Sequence, residues 1–132
     1  TGVAEIEEYR QKAEPLQRII FACDEAAELL DHTGANKERK ELLGQIESKI
    51  SLIARQGRAF GINLILATQR PDANIVPGQI KNNMDIRICG KADATLSGII
   101  LGTGDADKMI PKDSQGLFLM NDGTIFQGYY IA

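Results

Sequence analysis

The sequence has few of the residues from which disulfide frameworks and histidine metal sites are built. It contains two cysteines, Cys23 and Cys89, which are far apart and each interrupt an apolar stretch. This pattern indicates free thiols in a reducing compartment. The single histidine, His32, has no set of cysteines or histidines around it, so we predict a surface loop there and no metal site. No apolar run approaches the roughly 18 residues that cross a bilayer.

Charge limits the classes of function as well. The 132 residues include 15 Lys and Arg against 18 Asp and Glu, a net charge of −3, which excludes a highly basic nucleic-acid module. The distribution is uneven, because residues 1–47 carry eleven acids and six bases, whereas residues 49–91 carry seven bases and two acids. A basic middle can attract phosphate, but solvated Lys and Arg on helix faces are the simpler explanation of the charge alone.

Alternation of strands and helices predicts an α/β fold. The apolar run Ile19–Cys23 suits a strand covered on both faces, a second run occupies residues 62–67, and a third strand is expected at 86–90. A long helix is predicted over residues 37–60 from apolar residues at helical spacing. These are Leu43, Ile46, Ile50 and Ile53. Because Asp-Gly separates two apolar runs within residues 117–130, we expect a mainly parallel sheet with a C-terminal antiparallel hairpin. Shorter helices are expected at residues 3–14, 26–30, 78–83 and 94–101.

Ligands of parallel sheets bind at the carboxyl ends of the strands, and this rule singles out two short motifs. Asp24 and Glu25 follow the first predicted strand, where carboxylates suit Mg²⁺ binding and water activation, although acids also favour the start of a helix. Thr68, Gln69 and Arg70 follow the second strand, where they suit contacts with water or phosphate, although a polar loop start is the simpler explanation. We expect both motifs to lie side by side at one rim.

Residues 58–71, with the sequence RAFGINLILATQRP, resemble the signature of the FtsK/SpoIIIE-type DNA translocase motors. Upstream, residues 19–30 resemble the Walker B strand of that family, and downstream residues 116–119 with Gln127 and Gly128 resemble its last two strands. The resemblance continues after the signature at Ile75, Gly78, Ile80, Lys81, Asn83, Arg87 and Ile88. It covers residues 17–131.

The resemblance implies a partial RecA-like P-loop ATPase that uses ATP and Mg²⁺ and assembles as a ring, usually of six subunits, around double-stranded DNA. It implies that Asp24 orients Mg²⁺, that Glu25 activates the attacking water and that Gln69 senses the γ-phosphate. It also places the chain in the cytoplasmic part of a membrane-anchored parent.

Basic residues receive roles from the same resemblance. Arg58 is expected to be the arginine finger that acts on a neighbouring subunit, with Arg70 close to it. Arg55, three residues earlier on the same predicted helix, is the alternative finger. From the residues alone, both Arg55 and Arg58 are equally explained by the dipole at a helix C-terminus. Lys81 and Asn82 are candidates for contacts with DNA phosphates, and a solvated turn explains them equally well.

One motif of the family is missing. The sequence contains no Walker A loop, Gly-x-x-x-x-Gly-Lys-Ser/Thr, whose backbone amides cradle the phosphates; Gly90 and Lys91 are followed by Ala92. We therefore expect residues 1–132 to be a single fragment, the C-terminal half of a motor domain from Walker B onward. We expect this fragment alone neither to bind ATP tightly nor to hydrolyse it. A truncated sheet also leaves edges and apolar faces uncovered, so the fragment is expected to dimerise.

The preferred hypothesis is part of an ATP-driven translocase of double-stranded DNA, acting in chromosome segregation or in the transfer of a conjugative element. A secretion ATPase of the type VII kind, which moves protein, is the first alternative, and Ile80, Lys81 and Asn83 favour the DNA branch. A catalytically dead interaction scaffold is the second. The missing Walker A loop allows a scaffold, whereas the retained acidic pair, glutamine and arginine count against it.

Overall fold

A computed structural model describes residues 7–8, 11, 17–69, 71–72 and 75–129. These residues divide between two compact units, the first containing residues 17–69 and 75–83 and the second containing residues 71–72 and 84–129. In chain order the elements are β1 (Ile19–Cys23), α1 (Ala26–Leu30), α2 (Lys37–Gln56), a 3₁₀ turn (Gly57–Phe60), β2 (Ile62–Leu66), α3 (Gly78–Lys81), β3 (Ile88–Cys89), α4 (Ala94–Leu101), α5 (Asp105–Met109), β4 (Leu117–Met120) and β5 (Ile125–Gln127).

The first unit is built on a parallel pair of strands. β1 and β2 run in register from Ile19 opposite Ile62 to Cys23 opposite Leu66. The ladder extends past the strands, because the Ala67 N–H donates to the Cys23 carbonyl at 2.8 Å and the Ala26 N–H donates to the Ala67 carbonyl at 2.7 Å. Both predicted strands and their parallel pairing are confirmed, so the carboxyl ends of β1 and β2 lie side by side.

Helix α2 connects the carboxyl end of β1 to the amino end of β2. It begins at the cap residue Asn36, whose Oδ1 accepts a hydrogen bond from the Arg39 N–H at 2.9 Å. Leu43 and Ile50 are buried, and Ile46 and Ile53 are partly buried, so the predicted apolar stripe is confirmed.

The end of α2 differs from the prediction of a helix through residue 60. The α-helix ends at Gln56 and the next four residues form the 3₁₀ turn. Close packing favours glycine where the α-helix ends, since a Cβ on Gly57 would lie 3.0 Å from the Ile62 carbonyl oxygen. Gly61 then reverses the chain with a φ of +74°, which a residue with a side chain adopts only with strain. Gly57 and Gly61 together let the helix end sit directly against the start of β2.

Burial in the first unit is uneven. Ile80 of α3 is fully buried, and the inner face of α1 is buried through Ala26, Ala27 and Leu30. The apolar side chains of β1 are exposed instead, with Ile19 at 58%, Ile20 at 65% and Phe21 at 39%. The prediction that β1 is covered on both faces is therefore wrong for the described part of the chain, although β1 is a strand and β2 is its sheet partner there.

The second unit contains the antiparallel sheet β3–β4–β5. The predicted hairpin is confirmed, with Leu117 opposite Gln127 and a turn at Asp122 and Gly123. The Thr124 N–H donates to Asp122 Oδ1 at 2.9 Å, and this bond lowers the pKa of the Asp122 carboxyl. The core of this unit comprises Cys89, Leu101, Ala106, Ile110 and Leu119.

The predicted fold class is confirmed, but the third strand has a different partner from the one expected. The sequence places residues 86–90 with the parallel strands, whereas β3 covers only Ile88–Cys89 and pairs antiparallel with β4. Asn121 explains this pairing, because its Oδ1 accepts from the Arg87 N–H at 2.9 Å and its Nδ2 donates to the Asp85 carbonyl at 3.1 Å. One side chain in the hairpin turn therefore holds the approach to β3 alongside the hairpin.

Four further expectations concern the N-terminal helix, membrane spans, the histidine and the cysteines. The helix predicted over residues 3–14 falls mostly outside the described residues. Where the chain is described, no helix is both long and apolar enough to cross a membrane. His32 lies in the predicted loop, half-buried, with Nε2 3.7 Å from Glu47 Oε2. Cys23 and Cys89 are free thiols, and burial raises the pKa of Cys89.

Candidate functional site

The two motifs predicted to converge lie at one rim of the parallel pair. Asp24 and Glu25 directly follow β1. Thr68 and Gln69 follow Ala67, the residue by which the hydrogen-bond ladder extends past β2. Parallel pairing in register brings these positions to the same end of the sheet. Asp24 and Gln69 are exposed there, whereas Glu25 and Thr68 are partly buried. The rim therefore presents one carboxylate and one amide to solvent above a second, shielded carboxylate.

Glu25 links the two strand ends through its side chain. Its Oε1 accepts hydrogen bonds from the Thr68 hydroxyl at 2.5 Å and from the Ala27 N–H at 3.1 Å. Its Oε2 accepts from the Gln69 N–H at 3.1 Å. Glu25 is thus the cap of α1 and, at the same time, the anchor of the loop after β2. Hydrogen bonds to an ionised carboxylate are short and strong, so its direction is fixed.

Asp24 is the residue best placed to contact a metal ion. The described residues contain no cluster of three or more His, Cys, Asp or Glu side chains that could hold one. Mg²⁺ does not require such a cluster in nucleotide enzymes, where one or two carboxylates share it with substrate phosphates and water. Asp24 is a single exposed carboxylate directly after β1. It fits a Mg²⁺ ion shared with substrate phosphates, and it does not fit a site made of protein ligands alone.

Arg58 lies at the opposite end of the strands. It sits in the 3₁₀ turn before β2, and the Gly61 N–H donates to its carbonyl at 3.1 Å. Gly61 in turn accepts from the Ile19 N–H at 3.0 Å, at the amino end of β1. A five-residue strand spans about 16 Å, so the structure does not bring Arg58 to the Asp24 rim of its own chain. Arg55, on the last turn of α2, is exposed near the same end.

The remaining predicted site residues are placed as follows. Arg70 lies outside the described residues. Lys81 is the last residue of α3, and Asn82 caps it by donating its N–H to the Gly78 carbonyl at 2.9 Å. Asn82 is exposed and Lys81 is partly buried. The fully buried Ile80 anchors this short helix, so the two polar residues occupy a fixed position at its end.

Thr68 is the functional candidate that sequence reasoning undervalued. The sequence predicts contacts of Thr68 with water or phosphate, but the structure shows its hydroxyl donating to the Glu25 carboxylate. The available signal was positional, since in a parallel pair a residue two past β2 faces a residue two past β1.

Comparisons with known proteins agree with the fold and identify the family. No family model matches the chain. The protein named DNA translocase FtsK from Staphylococcus aureus (strain Mu50) is 36% identical over 130 residues, which cover 96% of this chain. The protein of the same name from Bradyrhizobium diazoefficiens is 32% identical over 126 residues, or 95% of this chain. The chain belongs to the FtsK/SpoIIIE family. It spans only 15% and 14%, respectively, of the length of these two relatives.

Two solved structures are similar to this chain in fold. The pCW3 conjugation coupling protein TcpA, solved as a monomer with ATPγS, is 43% identical with a TM-score of 0.88. The match covers 98% of this chain and 38% of that one. The cytoplasmic domain of the type VII secretion ATPase EccC from Thermomonospora curvata has a TM-score of 0.69 at 23% identity, over 98% of this chain and 15% of that one. The second likeness concerns the fold alone.

Proposed function

We propose that this chain is part of an ATP-driven motor that moves double-stranded DNA, in chromosome segregation or in the transfer of a conjugative element. The observation that carries the proposal is the convergence of Asp24, Glu25 and Gln69 at one rim of a parallel pair. The names of the FtsK relatives and the ATPγS bound to TcpA support the same activity. On this proposal residues 1–132 are the part of a motor domain from Walker B onward, in the cytoplasmic part of a membrane-anchored protein.

The rim residues divide the chemistry of ATP hydrolysis among them. Mg²⁺ bound with ATP would neutralise charge on the phosphates. Asp24 would hold the ion through its exposed carboxylate, and Glu25 would accept the proton of the attacking water. Glu25 holds the backbone N–H of Gln69, and the exposed side-chain amide of Gln69 would sense the γ-phosphate. Each role requires only the side chain and its observed position at the rim.

The position of Arg58 supports assembly into a ring. Because this residue lies at the amino end of the strands, its guanidinium serves the site of a neighbouring subunit and not its own. Arg70 follows Gln69 in sequence, so on this proposal it acts beside the Arg58 that a neighbouring subunit supplies, and not beside Arg58 of its own chain. A heterologous interface of this kind closes into a ring when the rotation permits, and we propose six subunits.

Contacts with DNA are assigned to the end of α3. Lys81 and Asn82 suit phosphate contacts, which position a duplex without reading its sequence. The buried side chain of Ile80 holds this helix in the first unit, so Lys81 and Asn82 would move together with that unit. This arrangement favours sequence-independent movement along DNA.

DNA-stimulated ATP hydrolysis by the full-length protein is the test. We expect random-sequence linear duplex to raise the rate, and the affinity for DNA to fall linearly on logarithmic axes as salt rises. Glu25→Gln should abolish hydrolysis, while Glu41→Gln, a matched change on the exposed face of α2, should leave it unchanged. ATP hydrolysis without DNA binding would favour protein secretion. A full-length protein without any ATP hydrolysis would favour the scaffold.

A further inference from the structure

We infer that Thr68 is a positioning residue that holds the Glu25 carboxylate in its water-activating orientation and couples it to the loop after β2. This inference rests on the proposed function, and it adds a side chain to which neither the resemblance nor the rim chemistry gives a role. Thr68 touches neither phosphate nor water in the proposal, and it acts only through Glu25.

The geometry separates Thr68 from the other donors to Glu25. Two of the hydrogen bonds described for Glu25 come from backbone groups, the N–H of Ala27 and that of Gln69, which no side-chain change removes. Another comes from the Thr68 hydroxyl, which a side-chain change does remove. A hydroxyl that donates to a carboxylate helps to fix the orientation of that carboxylate.

The same contacts join Glu25 to the residue proposed to sense the γ-phosphate. Thr68 and Gln69 are adjacent, and each bonds a different oxygen of the same carboxylate. A shift of the backbone at Gln69 on phosphate binding would therefore move the Thr68 hydroxyl and the carboxylate that it holds. Thr68 and Gln69 together would couple the binding of the γ-phosphate to the orientation of Glu25, which accepts the proton in the proposed reaction.

A purely structural role predicts something different. The start of α1 is capped by the bond between Glu25 Oε1 and the Ala27 N–H, which does not involve Thr68. The β1–β2 ladder is closed by backbone bonds at Ala67. Loss of the hydroxyl should therefore leave the helix cap and the strand pair in place and act on the rate of the chemical step.

The experiment compares ATP hydrolysis by full-length variants in the presence of DNA. Thr68→Val and Thr68→Ala both remove the hydroxyl, Thr68→Ser keeps it, and Thr95→Val removes an exposed hydroxyl in the second unit as a control. Thermal melting first establishes which variants are folded. If one of the two variants without the hydroxyl does not fold, the other is used. We expect kcat to fall about tenfold without the hydroxyl, with KM for ATP and DNA affinity unchanged. We expect Thr68→Ser to stay within about twofold of the wild type.

Different outcomes separate this inference from the proposed function. A wild-type protein that does not hydrolyse ATP overturns both. An active wild type with unchanged kcat in the folded hydroxyl-free variants overturns the inference alone, as does a Thr68→Ser variant as slow as Thr68→Val. In the Glu25→Asp background, whose shorter carboxylate no longer reaches the hydroxyl, Thr68→Val should have no further effect. A full additional loss there would show that Thr68 does not act through Glu25.

Discussion

Mixing of inactive subunits tests the placement of Glu25 and Arg58 at opposite ends of the β1–β2 pair. The proposed site takes Glu25 from one subunit and Arg58 from the next, because about 16 Å of strand separates the two ends within a chain. We would prepare full-length Glu25→Gln and Arg58→Ala separately and mix them in equal amounts. Each variant alone should be nearly inactive, since loss of an arginine finger lowers the rate by about 10³ to 10⁵.

The expected recovery follows from counting interfaces. In a randomly mixed ring, half of the subunits keep Glu25 and half keep Arg58. An interface is intact when a subunit with Glu25 meets a neighbour with Arg58, which happens at about a quarter of the interfaces. If each interface hydrolyses ATP independently, the mixture should regain about a quarter of the wild-type rate, far above either variant alone.

A matched mixture controls for indirect effects. Asp24→Asn and Glu25→Gln both alter the same rim of the same chain, so no combination of these two subunits restores an intact site. Light scattering establishes whether the Glu25→Gln and Arg58→Ala proteins exchange subunits. If they exchange subunits and the mixture still recovers no ATPase activity, the reasoning is refuted. The same mixture with Arg55→Ala in place of Arg58→Ala decides which arginine is the finger.

Three further predictions concern residues 1–132 alone. Calorimetric titration should show no tight ATP binding because the sequence contains no Walker A loop, and a micromolar Kd would contradict this. Static light scattering should show dimers, since Ile19, Ile20 and Phe21 are exposed on β1, and a monomer at high concentration would contradict it. Ile80→Ala should lower the free energy of unfolding in denaturant by about 2–5 kcal/mol, because Ile80 is fully buried. Leu42→Ala, at an exposed position on α2, should change it by about 0.5 kcal/mol or less, and equal losses would refute the assigned core.

The elements that the sequence predicted well are those specified by local pattern. β1 is a continuous apolar run and β2 is apolar except for Asn63; polar residues follow both runs, and the observed bounds agree with the predicted ones to within one residue. The stripe of α2 repeats at helical spacing and is buried as expected. The hairpin carries its own turn signal at Asp122 and Gly123. In each case a short segment contains all of the information that fixes its conformation.

The features that escaped prediction depend on contacts between distant residues. At the change from α-helix to 3₁₀ turn, Gly57 packs closely against the backbone of Ile62 in the next strand. The antiparallel partner of β3 is set by Asn121, which lies more than thirty residues further along the chain. The bond between Thr68 and Glu25 joins residues 43 positions apart. Local propensity contains no information on such pairs, so only the folded chain reveals them.

The connectivity of the first unit accounts for both halves of the proposed site with one geometric fact. In a parallel pair, the connection must return the chain from the carboxyl rim to the amino rim, and α2, about 30 Å long at 20 residues, makes that return. Any arginine in the turn between α2 and β2 therefore faces away from the acidic pair that follows β1. The pairing that brings Glu25 and Gln69 together is the same pairing that sends Arg58 to the other rim. The order of the elements along the chain thus separates Arg58 from the acidic pair, independently of the signature motif, and the proposed completion of the site by a neighbouring subunit requires this separation.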